Sequence, residues 1–430
     1  TNIELQCLQL WKGALGIGKM AEENTYASAG VNIELGDGAS KILYNAARQT
    51  WANRKGKLGE VISPFDDFSG FRAVDVSNLP EGSLMGAGSD GIGTKVEIAE
   101  RTGNHLTSAH NLIAMVTDDA VVRGAEPVAV TSVLDVNSLK GNIEAVRQIA
   151  EGYISAAKEA NVAVINGETA ELGRRVRGYS EKPKLFTRIV QGLRYMAKGE
   201  LPEEKGFAYN WGATCVWFAK KDRMFSGREI QEGDFIVGLR EDGFRSNGIS
   251  LVRKIMRDTH GNKWHTEPWK DGQTLGQVIG LPSRIYSKAA VEMFGGYAGE
   301  PKVELHGVAH ITGGGLPGKL ERMLKPQKFG AIIDNPFVSS EFVRYVQALG
   351  NVSDEEAYRT WNMGQGMVVV SPDPEGVIRV AQQHGIPAQQ IGVVTNKPIL
   401  IIKNRGAFNP FENSSLRNIG PEEINYHLYD

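Results

Sequence analysis

The sequence predicts an α+β (α/β) protein of two domains, and three observations carry that prediction. Strand-like and helical-period apolar segments alternate between residues 108 and 219. Lys220 to Asp234, with Gly227 and Gly233, then breaks the pattern as a candidate linker. The apolar pattern restarts at Phe235-Ile-Val-Gly-Leu239. A chain of 430 residues, 41% hydrophobic and 23% charged, has the composition of a soluble globular protein and the length for two or three domains. The expected divisions are an extension at 1–24, an N-terminal domain at 25–222, a C-terminal domain at 223–403 and a polar tail at 404–430.

Residues 1–24 form a weakly amphipathic lead, followed by the glycine-containing extended stretch Tyr26-Ala-Ser-Ala-Gly-Val-Asn32. Leu35 to Asn53 reads as a helix, and Val61 to Gly70, with Pro64, Asp66 and Asp67, as a loop. Strands are expected at Ser83–Gly86 and at Val128–Leu134. Between them a helix runs from Ser108 to about Arg123, closed by Gly124 and Pro127. Its apolar stripe passes through Leu112, Met115 and Val116, and the next member is Asp119. Asp118 is turned by about 100° from it, toward water or the rim of the same site. An acid on a buried stripe must be paired with a cation such as arginine, neutralised or bound to metal.

A second helix, Gly141 to about Ala160, leads into the strand Val162–Ile165, which ends at Asn166-Gly-Glu168-Thr-Ala-Glu171. Acids at a strand end are held rigidly and often belong to a site. Residues 174 to about 210 read as an insertion, and Thr214–Ala219 as a further strand. In the second half, Ser246-Asn-Gly opens a helix, and His310-Ile-Thr-Gly-Gly-Gly315 opens another with Pro317 in its first turn. Glycines before a helix N-terminus make a place where anions bind, although a plain flexible turn has the same composition.

The most informative line is Gly88-Ser-Asp-Gly-Ile-Gly-Thr-Lys95. Glycines let backbone N–H groups approach a phosphate, and Asp90 would repel that phosphate unless a cation lay between. Mg²⁺ suits the position, because it bridges carboxylates to substrate phosphates. Lys95 adds a positive charge at the far end. The reading is an ATP–Mg²⁺ loop; the alternative is a structural turn. Gly86 to Gly91 also fits G-x-G-x-x-G, but the stretch at Ser108–Ile113 lacks the acid that a dinucleotide fold wants about 20 residues on. Gly-Thr-Lys is likewise not the Gly-Lys-Thr of a P-loop.

A net charge of −2 and a pI near 6.5 argue against a dedicated nucleic-acid binder. No apolar run approaches the ~20 residues that cross a membrane. Glu4 and Lys12 in the lead do not suit a signal peptide. Cys7 and Cys215 cannot build a disulfide framework or a zinc site and fit a reducing compartment, so the chain reads as cytoplasmic.

Taken together, these segments resemble the phosphoribosylformylglycinamidine cyclo-ligase (aminoimidazole ribonucleotide synthetase) family. The matching pieces, in order, are Tyr26–Asn32, Gly88–Lys95, Asn111–Pro127, Gly167–Glu171, Ser246–Lys254, Pro282-Ser-Arg-Ile-Tyr286, His310–Gly315 and Tyr358–Met367. The resemblance implies a homodimer formed through the N-terminal sheet domain, with a C-terminal α/β domain and ATP and substrate in the cleft between domains. It implies ATP-dependent cyclisation of formylglycinamidine ribonucleotide to 5-aminoimidazole ribonucleotide, through an imidophosphate. Carried over by motif, Asp90 and Asp119 are Mg²⁺ ligands, with K⁺ as a further cation. Lys95 steadies the phosphates, Glu168 completes the acidic cluster or orients the amidine, and His310 is a candidate for proton transfer. Gly88, Ser89, Gly91, Gly93, Thr94, Asn247, Gly313, Gly314 and Gly315 contact phosphate or substrate. Glu171 serves the site or an ion pair.

The sequence departs from this pattern in three places. Arg245 stands where the family commonly has His, Asp118 where Asn is frequent, and Leu172-Gly-Arg174 replaces Met-Pro-Gly. Those departures keep other readings open: a thiamine-monophosphate kinase, a formylglycinamidine ribonucleotide synthetase, or a catalytically silent nucleotide-binding subunit. A selenophosphate synthetase would need a reactive Cys beside a phosphate loop, and Cys7 lies outside any such loop.

Overall fold

The computed structural model describes residues 33–63, 72–179, 206–408 and 423–427. The lead, the Tyr26–Asn32 motif, Cys7 and most of the expected insertion lie outside the described residues.

The N-terminal half is built on a sheet in the order β3-β6-β4-β5, with β3 Ser83–Gly91, β4 Glu126–Val136, β5 Ala163–Glu171 and β6 Tyr209–Lys220. β4 and β5 run parallel; the other pairs are antiparallel. One face is covered by α1 (Ile33–Thr50), α3 (Ser108–Val121) and α4 (Ile143–Ala160), which bury Val130, Leu134, Ala213 and Cys215 with Leu112, Val116, Val146 and Ile149. The short α2 (Val96–Thr102) follows β3. A two-strand ribbon, β1 Val61–Ile62 with β2 Ala73–Val74, covers one end of the other face.

The C-terminal half is a seven-stranded sheet in the order β13-β12-β9-β11-β7-β10-β8. Its strands are β7 Phe235–Arg240, β8 Gly307–His310, β9 Gly330–Ile333, β10 Gln365–Ser371, β11 Ala388–Thr395, β12 Ile399–Lys403 and β13 Glu423–His427. Helices cover both faces. α5 (Ile249–His260), α8 (Gly315–Leu324), α9 (Glu341–Leu349) and α10 (Asp354–Thr360) lie on one side, while α7 (Ser287–Phe294) and α11 (Pro374–Gln383) lie on the other. The small α6 (Leu275–Ile279) packs against α2. Burial on two faces explains why Val368, Val369 and Val370 form an unbroken apolar run rather than an alternating one.

Three expectations change. The glycine-rich line is mostly not a loop: β3 continues through Gly88, Ser89, Asp90 and Gly91, and only Gly93–Lys95 forms a 3₁₀ turn. β6 supplies the ladder, with Gly88 opposite Cys215 and Asp90 opposite Ala213, so backbone pairing overrides the glycine composition. The expected tail is partly structural. Asn404 and Ala407 are buried against Asp354 and Gln347, and β13 pairs with β12.

The third change concerns α3. Asp118 is fully buried, whereas the Asp119 side chain is 53% exposed, the reverse of the stripe expectation. α3 is buried nearly all round from Ser108 to Asp118, so no narrow apolar stripe exists from which to extrapolate.

Candidate active site at the domain seam

α3 lies along the C-terminal segment 280–287 and forms the seam between the halves. Asn111 Oδ1 accepts from Ser283 N at 2.9 Å and from Ser283 Oγ at 2.8 Å. Asp118 Oδ1 accepts from Tyr286 N at 2.9 Å and Ser287 N at 2.8 Å. Thr107 Oγ1 donates to Gly280 O at 3.3 Å. The motif Pro282–Tyr286 is therefore a docking strip whose backbone is read by helix side chains, which satisfies polar groups that burial would otherwise strand.

At one end of this seam a buried charge network forms. Arg245, 1% exposed, donates from Nη1 to Glu241 Oε2 at 2.9 Å and Arg284 O at 2.8 Å. Its Nη2 faces Asp118 Oδ2 at 2.9 Å and His310 Nε2 at 2.7 Å. His310 Nδ1 lies 2.7 Å from Asp119 Oδ1. Burial and then the Arg245 charge push His310 down to about 4, so the imidazole is neutral.

Around Asp119 several of the expected residues converge. Burial, and after it the like charge of Asp119, raises the Asp90 carboxyl above its ordinary value, against the pull of the Gly91 N–H. Against its own desolvation, Asp119 is held low by the His310 hydrogen bond and by the charges of His310, Lys319 and Arg245. Asp119, His310 and Lys319 line a cleft of 240 Å³ with Arg123 and Arg322. Asp119 is half-exposed and Asp90 lies within range of its charge, a donor set that Mg²⁺ can use because it needs only one or two protein oxygens beside phosphate and water. No cluster of three or more metal-type side chains occurs among the described residues.

The phosphate candidates meet nearby. Thr94 Oγ1 lies 3.1 Å from Ser250 Oγ, and Gly93 faces the Ser246 carbonyl. Asn247 lies against Gly313 and its Oδ1 has no hydrogen-bond partner. Gly314 and Gly315 take φ of 90° and 59°, and a Cβ on Gly315 would collide with the Tyr358 carbonyl. That turn presents the α8 N-terminus toward Asn247. Trp361 braces the same corner, its Nε1 donating to Gly248 O at 3.4 Å, which gives the Tyr358–Met367 motif a structural task.

Two expected residues are placed elsewhere. Lys95 does not point along the strand. It is 2% exposed, and its Nζ donates to Asn111 Oδ1 at 2.9 Å and Leu281 O at 2.6 Å. Glu168 does not complete the acidic cluster. Asp90 aligns with Ala213, Ser132 and Gly167 on the helix-covered face, whereas Glu168 aligns with Val133 and Gly212 on the other. It is exposed on edge strand β5, whose rim borders a separate 650 Å³ cleft between α1 and the sheet, with Trp51 and Asn166. His310, expected to move protons, has both ring nitrogens engaged and is 2% exposed. Glu171 accepts from Leu139 N at 2.9 Å and closes a turn. Lys319 and Glu241 escaped the sequence reading. Lys319 sits in a helix with no motif character, and Glu241 carries only an i,i+4 relation to Arg245.

Comparison with known proteins gives the same chemistry a lineage. Residues 73–191 match the AIR synthase related protein N-terminal domain, and residues 231–403 the C-terminal domain. The phosphoribosylformylglycinamidine cyclo-ligase of Picosynechococcus sp. is 32% identical over 86% of this chain and 96% of that protein. The one from Pyrococcus furiosus is 31% identical over 89% and 98%. A thiamine-monophosphate kinase structure from Stenotrophomonas maltophilia shares the fold, with a TM-score of 0.52 at 11% identity over 81% of this chain and 92% of that one. This chain belongs to the AIR synthase related family, among its phosphoribosylformylglycinamidine cyclo-ligases.

Proposed function

We infer that the chain is an ATP-dependent ligase of purine biosynthesis that closes formylglycinamidine ribonucleotide to 5-aminoimidazole ribonucleotide, releasing ADP and phosphate. The reading rests on similarity to cyclo-ligases along nearly their whole length. The convergence of Asp90, Asp119, Thr94, Asn247 and Gly313–Gly315 at one seam supports it. The formyl amide oxygen is a poor leaving group. Transfer of the γ-phosphoryl group to it breaks the bond to ADP and creates a good one. The amidine nitrogen then bonds to that carbon, the C–O bond breaks with loss of phosphate, and the nitrogen gives up a proton. Such chemistry depends on alignment and charge neutralisation.

In this reading Gly93, Thr94, Asn247 and the α8 N-terminus hold phosphates through backbone N–H groups and hydroxyls. Asp90 and Asp119 would hold Mg²⁺, which when bound neutralises triphosphate charge. Lys319 adds positive charge beside them. The buried neutral His310 orients Asp119 rather than carrying the ring-closure proton. Lys95 reaches the phosphates only by leaving its partners in the seam.

The test incubates the purified chain with formylglycinamidine ribonucleotide, ATP, Mg²⁺ and K⁺, and follows aminoimidazole ribonucleotide. ATP binding without product would favour a silent subunit, and phosphorylation of thiamine phosphate a kinase. Asp90→Asn and Asp119→Asn should each abolish turnover with an unchanged circular-dichroism melt. Near-normal turnover in either variant removes that residue from the metal assignment.

The assembly belongs to the same proposal. Met85 is 69% and Val133 50% exposed on the open face of the four-stranded sheet, beside the Ser89–Thr214 hydroxyl pair. An apolar patch on an open sheet face suits a second copy of the chain, so a homodimer is expected, and sedimentation of Met85→Glu should show its loss. Domains at 25–222 and 223–403 and a cytoplasmic location complete the reading. No helix among the described residues is long and apolar enough to cross a membrane.

A further inference from the structure

Asp118 and Arg245, the positions where this sequence departs from the family's frequent Asn and His, are hydrogen-bonded to each other and both fully buried. We propose that Arg245 is a positioning residue: held by Asp118 and Glu241, it fixes the His310 ring so that Asp119 is aimed across the seam into the cleft. The proposal rests on the reading of Asp119 as a site carboxylate.

The hydrogen-bond logic carries it. Guanidinium has donors and no acceptor, so His310 Nε2, 2.7 Å from Arg245 Nη2, must present its lone pair. The ring proton then sits on Nδ1 and donates to Asp119 Oδ1 at 2.7 Å. One tautomer satisfies both contacts. Arg245 is itself fixed from several sides: two carboxylates, the Arg284 carbonyl, and the face of Tyr286 at 5.1 Å. Its backbone sits at φ 58°, a conformation that costs a non-glycine residue free energy. A strained backbone retained where both terminal nitrogens of the side chain are hydrogen-bonded indicates that the side chain's placement is what the turn serves. The cation and the extra carboxylate form one unit, since a neutral Asn at 118 would leave two cationic or donor edges facing one another.

A purely stabilising ion pair would need the charge and not the fork. Arg245→Lys separates the two roles, because one ammonium cannot hold Asp118, Glu241 and His310 together. The variant should melt close to the wild-type chain, while kcat falls at least about tenfold and KM for ATP stays within about twofold. Wild-type kcat in Arg245→Lys overturns the proposal. Should that variant fail to fold, His310→Asn and His310→Gln decide. Asn keeps an N–H at the Nδ1 position facing Asp119, whereas Gln places its amide near Nε2 and loses it. Greater kcat in the Asn variant supports the proposal; equal values, or greater kcat with Gln, overturn it. Asp118→Asn combined with Arg245→His should recover activity over either single change; additive losses count against the unit. Mg²⁺-dependent ATP binding by calorimetry is read in parallel. If the wild-type chain does not turn over, the function fails, and Arg245 is judged on that binding. An Arg245→Lys metal dependence equal to wild type then overturns the proposal.

Discussion

Arg245 and Lys95 are buried in the same seam, 1% and 2% exposed, and both tie α3 to the C-terminal half. Their surroundings differ in one respect. Arg245 has the carboxylates of Asp118 and Glu241 within hydrogen-bond distance, and against its desolvation they hold it firmly charged. Lys95 has an amide oxygen and a carbonyl, and burial pushes it down to about 7. Burial costs the charged form unless a counter-charge answers it. One half of the seam therefore keeps its cation charged, although burial raises Asp118 to about 7 against the pull of Arg245, while the other half can shed its proton near neutrality.

The largest test of that contrast is Arg245→Met. It leaves Asp118 and Glu241 buried around an apolar side chain, and removal of one partner from a buried ionic cluster costs about 3–5 kcal/mol. Denaturant unfolding should show such a loss for Arg245→Met. A loss below about 1 kcal/mol would mean that the two acids are already protonated and the network is not ionic.

Much of this contrast was invisible in the sequence, for reasons that particular residues show. Strands β4 and β6 and helices α3 and α4 are legible because their apolar residues keep strand or helix character over long segments. The turn at Gly313–Gly315 before α8 is legible because consecutive glycines followed by Pro317 mark a helix start, and Asn247 is found against it. The burial of Asp118 is not. Its partner Arg245 lies 127 residues away, and the face it occupies on α3 is fixed by the docking strip at 280–287. Lys95 and Glu168 look like site residues by neighbourhood in sequence, yet strand register sends Glu168 to the opposite face. Neither periodicity nor spacing encodes register across a sheet whose pairing is settled by β6.

The second test is Lys95→Met, with a smaller expected effect. The folded-state Lys95 sits at about 7 against an ordinary value of 10.5. Between those limits the unfolded chain binds more protons, so folding stability rises with pH from 7 toward 10. Lys95→Met should flatten that rise and cost no more than about 2 kcal/mol at pH 8, because two hydrogen bonds from a largely neutral amine are all that is lost. Unchanged slopes would show that the ammonium spends its time outside the seam. A loss of turnover far greater than the loss of stability would say the same from the functional side, placing Lys95 at the phosphates during catalysis.

The smallest effect concerns Glu100 on α2. Its carboxylate accepts from Tyr179 N at 2.7 Å and Tyr209 N at 3.4 Å, clasping the chain on both sides of the segment at 180–205. Desolvation raises it to about 7 from 4.5, despite those two donors. Here the folded state binds the extra proton, so stability is greatest below 4.5 and declines as pH climbs through 7. Glu100→Gln removes that decline and keeps one acceptor for the backbone donors, so thermal melts from pH 5 to pH 8 should lose their downward slope by a fraction of about 1–2 kcal/mol. Lys95 contributes a slope of opposite sign above pH 7. In the Lys95→Met, Glu100→Gln double variant the slopes that these two groups supply should both vanish, because burial is the main cause of each shift and they share no hydrogen-bond partner. A residual decline toward pH 7 in that variant is what buried Asp118 supplies, whereas a persistent rise above pH 7 would belong to a group other than Lys95 and collapse the distinction between Arg245 and Lys95.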